Sequence, residues 1–348
     1  MSNHLKGRGA SIQVKNRFDS KHFVPDDGEA IEHQDGVQTQ VIEIYPKSIV
    51  NHVPSPDIPM NWSMNPYQGC EHGCAYCYAR PTHEYWGYNG GVDFERVVLI
   101  KKNADELLRE KLSTRTWTGE SIMLSGNTDC YQPIERKLEI TRTLLKTCLE
   151  FGNPVGIITK NSLILRDLDI LAELASKNLV HTILSITTLD ETLRGLLEPR
   201  TASARQKLKA VSELSAANVP VSVMMAPIIP ALNSYEIDDM AKAVSEAGAL
   251  TMHFTMVRLN GCVEDVFTDW LERHYPDRKN KVLTQIADIH GGDVQDSRFS
   301  TRMRGEGNFA NIIAQQFKMA KKRYGLNRKP EPLTSRHFVR KGQFHLDL

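Results

Sequence analysis

Six cysteines occur in the 348 residues, and three of them fall within Cys70-Glu71-His72-Gly73-Cys74-Ala75-Tyr76-Cys77, spaced C-x3-C-x2-C. Thiolates are soft ligands that select zinc, Cu(I) or iron–sulfur clusters. Three sulfurs reach one small centre only if the chain curls tightly, and Gly69 and Gly73 permit that curl. In a cubane cluster three thiolates leave one iron without a protein ligand, and an open metal position is where a cofactor or substrate binds. Two other readings use the same thiols. A structural zinc site would take His72 or His83 as its fourth ligand, but its usual signature pairs two short hooks and no second hook occurs. A disulfide framework belongs to short secreted chains, whereas this chain is long and crowds its cysteines together.

The cysteine loop needs a scaffold, and from Trp62 the sequence alternates strand and helix signals. Trp62–Asn65 reads as a short strand ending at Pro66. Extended runs follow at 97–101, 121–125, 155–159, 181–187, 221–226 and 250–257. Helical spacing fills 104–112, 133–151, 165–176, 206–217 and 235–247 between them. Strands separated by helices imply parallel pairing with right-handed crossovers. Their continuous apolar runs suit a sheet covered on both faces. The fold class expected is α/β, a partial (β/α)6 barrel. Such a barrel keeps its working groups in the loops after the strands' C-terminal ends. The cysteine loop follows the first strand there. Asn127-Thr128-Asp129-Cys130 follows the second, Lys160 the third, Thr187-Thr188 the fourth and Pro227 the fifth.

Around this barrel, residues 1–45 read as an N-terminal arm, 46–260 as the barrel, and 261–348 as a helical extension. The stretch 41–60, with Pro46, Pro54, Pro56 and Pro59, reads as an approach segment. Helices are expected at 265–274, 280–289 and 309–324.

Hydrophobic residues make up 41% and charged residues 24%, ordinary for a globular chain. No apolar run is long enough to span a membrane. The start lacks an apolar signal segment, so a reduced cytoplasmic setting is expected. Net charge is +1 but uneven. Lys6, Arg8, Lys15, Arg17 and Lys21 crowd the start, nine Lys or Arg fall within 318–341, and Arg298, Arg302 and Arg304 form a third group. Such arms contact nucleic-acid phosphates or serve as solvated tails.

The cysteine spacing, with Tyr76 just before the third cysteine, matches the signature of the radical SAM superfamily. Thr128-Asp129-Cys130-Tyr131-Gln132-Pro133-Ile134-Glu135 and Leu197-Glu198-Pro199-Arg200 narrow the match. With them, residues 62–260 resemble the group containing spore photoproduct lyase and its DNA-repair-photolyase-like relatives, within it an uncharacterised bacterial subfamily. That resemblance implies a radical SAM barrel, a [4Fe–4S] cluster, and S-adenosyl-L-methionine (SAM) chelated to its open iron. One electron then breaks the sulfonium bond, and the resulting 5′-deoxyadenosyl radical abstracts hydrogen from the substrate. It also implies a reducing electron donor such as flavodoxin or ferredoxin.

By the same resemblance, Cys70, Cys74 and Cys77 would bind the cluster. Tyr76 would pack near the adenine. Asn127, Thr128 and Asp129 would stand in the loop that contacts the SAM amino group. Lys160 would reach the SAM carboxylate, with Arg200 as a second carboxylate-side candidate, and Ser185 would reach the ribose. The spore enzyme's hydrogen-returning cysteine is Gly126 here, so Cys130 is the candidate replacement. Tyr76 and Tyr78 match its tyrosine pair, implicated in radical transfer. Cys148 and Cys262 read as buried thiols. Three functions stay open: a radical enzyme acting on nucleic acid, one acting on a small molecule or protein, and a non-catalytic metal-binding protein.

Overall fold

The computed structural model describes residues 7–18, 38–58 and 60–340. Ten strands occur among them: β1 (Gln40–Ile44), β2 (Val50–His52), β3 (Trp62–Met64), β4 (Tyr67–Gln68), β5 (Val97–Lys101), β6 (Ile122–Leu124), β7 (Val155–Thr159), β8 (Val180–Ser185), β9 (Val221–Ile228) and β10 (Met252–Met256). The α-helices are α1 (Asp93–Arg96), α2 (Ala104–Ser113), α3 (Glu135–Leu138), α4 (Ile140–Phe151), α5 (Leu168–Ser176), α6 (Glu191–Leu197), α7 (Ala204–Ala216), α8 (Ile237–Glu246), α9 (Val263–His274), α10 (Lys279–Ile289) and α11 (Gly307–Arg323).

The main sheet runs β10-β9-β8-β7-β6-β3-β2. Its neighbours from β3 to β10 are all parallel, and β2 adds an antiparallel edge. Six parallel strands with helices between them make the expected partial barrel, and it stays open between β2 and β10. Val155, Ile157, Leu184 and Val223 are fully buried, as a sheet covered on both faces requires. The open side is bridged by chain from the helical extension. The Met256 N–H donates to the Met303 carbonyl at 2.9 Å. Asp57, beyond β2, accepts from the Ser300 N–H at 2.8 Å and from Arg302 Nε at 2.6 Å.

Three local readings change. The approach segment supplies β1 and β2. The extended run 97–101 joins β1 and β4 in a separate three-stranded sheet. The helix expected over 133–151 breaks at Glu139, whose φ is 52°. There the buried Glu135 carboxylate accepts the Thr141 N–H at 3.2 and 3.1 Å, capping α4 from the preceding turn. Helix α6, absent from the sequence reading, starts where Asp190 accepts the Thr192 and Leu193 N–H groups at 2.7 and 3.1 Å.

Candidate active site

The cysteine loop sits past β3 and β4, at the C-terminal end of the parallel strands. Bonds from four directions shape it. The Cys70 N–H donates to the Phe94 carbonyl at 2.8 Å, and the Ala75 N–H to the Leu197 carbonyl at 3.1 Å. The Arg200 N–H donates to the His72 carbonyl at 3.3 Å. Gln132 accepts the Glu71 N–H at 2.9 Å and donates to the Gly69 carbonyl at 3.2 Å. Gly69 must lack a side chain, because a Cβ there would stand 2.3 Å from the Val97 carbonyl oxygen. All three loop cysteines are free thiols. Cys70 and Cys77 share an apolar group with Ala79 and Phe94, and Cys77 also packs against the group holding Cys74. Burial, with Cys70 next, pushes the Cys77 thiol up to about 11.

Among the described residues, no three His, Cys, Asp or Glu side chains converge to hold one metal ion. A cubane does not ask for convergence, since each thiolate binds a different iron. Of the two histidines considered for zinc, His72 is engaged by other side chains, whereas both ring nitrogens of His83 are buried without a hydrogen-bond partner among the described residues. His72 places Nδ1 3.4 Å from Asp129 and Nε2 3.3 Å from the Asn161 amide. Burial opposes its charge, but Asp129 and Cys70 outweigh that and hold its pKa up at about 10. His83 is stacked on Tyr88 and edge-on to Phe94, and burial pushes it down to about 4.

Beneath the loop lies a buried polar set centred on Glu198. Its carboxylate accepts from Thr187 Oγ1 at 2.6 Å and from the Tyr76 hydroxyl. Lys160 Nζ lies 3.0 Å from one oxygen and Lys207 Nζ 3.1 Å from the other. Burial alone would raise Glu198; the two lysines and the two hydroxyls together hold it below the usual carboxylate range. Lys160 Nζ also donates to Ser185 Oγ at 3.1 Å, Thr187 Oγ1 at 3.0 Å and the Ala226 carbonyl at 3.0 Å. Burial raises the Cys74 thiol, and Glu198 raises it further while Lys160 acts the other way. The structure thus brings Tyr76, Lys160 and Ser185 together, on Glu198. Sequence reasoning passed over Glu198 and Lys207. A usable signal was present: Lys207 falls on the apolar stripe of α7 with Ala204, Val211 and Leu214.

The loop after β6 is a brace. Thr128 Oγ1 donates to the Tyr67 carbonyl at 2.7 Å. Asp129 accepts from the Tyr131 N–H at 2.8 Å, the Lys160 N–H at 2.7 Å and Thr159 Oγ1 at 2.7 Å. Asn127 donates to Gln68 Oε1 at 3.1 Å and Thr82 Oγ1 at 3.2 Å. Cys130 has no exposed surface and lies in the main core with Leu124, Leu144 and Leu145. That core is a different apolar group from those holding the loop cysteines. Cys148 is in the same core, and Cys262 is buried against Val266 and Val92.

At the barrel mouth, Tyr78 is half-exposed and its hydroxyl donates to the Gly126 carbonyl at 2.9 Å. The Arg258 guanidinium, two residues past β10, lies 5.9 Å from the Tyr78 ring centroid. Its side chain donates to Met303 Sδ at 2.9 Å, and no carboxylate among the described residues pairs with it. Arg200 stands 3.7 Å from Glu71, partly exposed. Two of the three arginines in the other group are spent internally. Arg298 pairs with Asp296 at 3.0 Å and Glu306 at 2.8 Å, and Arg302 with Asp57 at 2.6 Å. No helix among the described residues is long and apolar enough to cross a membrane.

The chain is 33% identical over 238 residues to an uncharacterized protein of Mycobacterium tuberculosis, covering 68% of this chain and 70% of that one. An uncharacterized protein of Methanocaldococcus jannaschii is 26% identical over 248 residues, 71% of this chain and 88% of the other. Among solved structures, a spore photoproduct lyase mutant aligns with a TM-score of 0.59 at 14% identity, over 82% of this chain and 80% of that one. A second variant, with bound AdoMet and dinucleoside spore photoproduct, aligns with a TM-score of 0.59 at 15% identity, over 83% and 80%. These likenesses agree with the fold derived above. The model of the Radical SAM superfamily matches residues 64–244, from the end of β3 into α8 and therefore across the cysteine loop and the Glu198 set. A cysteine loop at the open end of six parallel strands is what that match predicts, and the chain belongs to the radical SAM superfamily of enzymes.

Proposed function

We propose that this enzyme carries a [4Fe–4S] cluster on Cys70, Cys74 and Cys77, binds SAM at the cluster's open iron, and starts radical chemistry on an anionic substrate, nucleic acid first among the candidates. The observation that carries the reading is the loop of three free thiols seated over the buried Lys160–Glu198–Lys207 set. Glu198 is ion-paired with both lysines in that set. A bound cluster would supply the electron that breaks the sulfonium carbon–sulfur bond of SAM.

The chain's own residues divide the remaining work. Tyr76, Thr187 and Glu198 hold Lys160 in place under the loop. Thr128 and Asp129 brace the loop after β6, and Asn127, Ser185 and Arg200 are the groups assigned to meet SAM. Tyr78 and Arg258 line the opening through which a substrate enters, and the unpaired Arg258 guanidinium suits a phosphate or carboxylate there. The strap at residues 300–303 covers the open side and limits water. Action on a small molecule or protein is the second reading, favoured by the internal pairing of Arg298 and Arg302.

Anaerobic reconstitution followed by SAM cleavage with dithionite tests the reading, with and without DNA, RNA and cell extract. The expected result is about four iron and four sulfide per chain, with cleavage lost in Cys70→Ala, Cys74→Ala and Cys77→Ala but kept in Cys148→Ala. Stoichiometric zinc without iron would overturn it.

A further inference from the structure

The segment that the sequence presents as an arm is seated against the cysteine loop. Glu95, fully buried at the end of α1, is the hub. Its Oε2 accepts the Gly9 N–H at 3.1 Å, and its Oε1 accepts the Ala10 N–H at 2.8 Å. Oε1 also accepts from Arg80 Nη2 at 2.5 Å, and both side chains of that pair are 0% exposed. Arg80 reaches on into the loop, donating through Nε and Nη2 to the Cys74 carbonyl at 3.1 and 2.8 Å. A buried carboxylate bonded to two amides and a guanidinium is the well-satisfied case that holds its partners rigidly.

Two further contacts are direct. A Cβ on Gly9 would stand 1.9 Å from the Gly73 carbonyl oxygen, so the two backbones touch with no room for a side chain. Gly73 itself has φ +65°, and a Cβ there would stand 2.7 Å from Glu95 Oε2. Arg8 then adds charge. It is buried, it donates to the Glu95 carbonyl through Nη1 and to Thr39 Oγ1 at 3.4 Å through Nη2, and Thr39 in turn donates to Glu71 Oε1 at 2.7 Å. No carboxylate among the described residues forms an ion pair with Arg8, and the Glu95 and Glu71 carboxylates act on its charge only from further off.

We propose that Arg8 and Gly9 are positioning residues of the cluster site. Gly9 allows the N-terminal segment to seat against Gly73 and so sets the shape of the loop carrying Cys74. Arg8 supplies a buried positive charge that raises the reduction potential of a cluster held there. The proposal rests on reading the loop as a cluster site. Its electrostatic half follows because net charge and hydrogen bonding near an iron–sulfur cluster set its potential, and burial strengthens a charge's influence.

The test uses the full-length chain as wild type, Gly9→Ala, Arg8→Gln, Arg8→Lys and Ser11→Ala. Ser11 lies on the same segment but bonds Asp269 at 2.8 Å, away from the loop, and serves as the control. In metal-free protein, Gly9→Ala is expected to speed amide hydrogen exchange over residues 70–78 by about tenfold, as loss of a buried contact set implies. Exchange over β7 stays as in wild type. In reconstituted protein, redox titration is expected to give a lower midpoint potential for Arg8→Gln, with Arg8→Lys and Ser11→Ala at the wild-type value. Unchanged loop exchange in Gly9→Ala together with an unchanged potential in Arg8→Gln would overturn the proposal. Wild-type protein that takes up no iron and sulfide sinks the cluster reading instead, and the metal-free exchange comparison still decides whether the segment seats the loop.

Discussion

Glu198 is bound to two lysines and two hydroxyls with no exposed surface. Removing one partner of a buried ion pair leaves the other charge poorly compensated, at a cost of about 3–5 kcal/mol. Lys207→Met should therefore destabilise the metal-free protein by about 3 kcal/mol in denaturant unfolding, the lower end because Lys160 remains beside Glu198. Adding Glu198→Gln should recover part of the loss. Lys101 is a simpler case. Burial alone pulls its pKa down to about 8 from 10.5. Between those values the unfolded chain binds a proton that the folded chain lacks, so stability rises with pH across the window and the penalty is full below about 8. Lys101→Met should gain about 2 kcal/mol at neutral pH. It should also lose the rise between pH 8 and 10.5 seen in wild-type unfolding curves.

At the scale of elements, the opening between β2 and β10 is crossed by one stretch of irregular chain, tied at Asp57 and at Met256. Irregular segments with few ties are the first to open locally. Asp57→Ala removes the acceptor for both Ser300 and Arg302, so amide exchange over residues 300–303 should rise while β8 and β9 keep their protection. Equal protection in the variant would mean that packing, not Asp57, holds the strap. The broken helix 133–151 carries the same lesson in miniature. Periodicity indicated helix throughout, but a buried carboxylate from one turn capped the next and the axis turned at Glu139.

Over the whole molecule, net charge is +1. Arg17, Arg298, Arg302 and Arg323 are already in ion pairs. Those four are compensated within the fold, whereas Arg258 and Arg304 form no ion pair among the described residues and stay available to an oligonucleotide. Single-strand binding weakens with salt with a log–log slope of about −0.7 per phosphate neutralised. Fluorescence anisotropy with a single-stranded oligonucleotide should give a slope shallower than about −3 between roughly 50 and 200 mM salt. A slope steeper than about −5 would mean that the paired arginines are released on binding.

Features set by local spacing were legible in the chain before any fold was known. C-x3-C-x2-C named the thiol centre, and apolar runs alternating with helical stripes named a parallel partial barrel, because both signals lie within a few residues of each other. The loops at the strand ends were legible for the same reason, down to Lys160 and Ser185. What those residues face depends on contacts between distant parts of the chain. Cys130 follows Thr128-Asp129 in sequence, yet its side chain turns into the core. Lys207 and Glu198 meet because α7 folds back over the loop after α6. Residues 8–10 reach Gly73 and Glu95 across a long stretch of chain, and no local pattern reports a contact made at that separation. Burial, too, is a property of the assembled fold. It turned arginines that read as a nucleic-acid surface into ion-pair partners, and an arm that read as a tail into the seat of the cysteine loop.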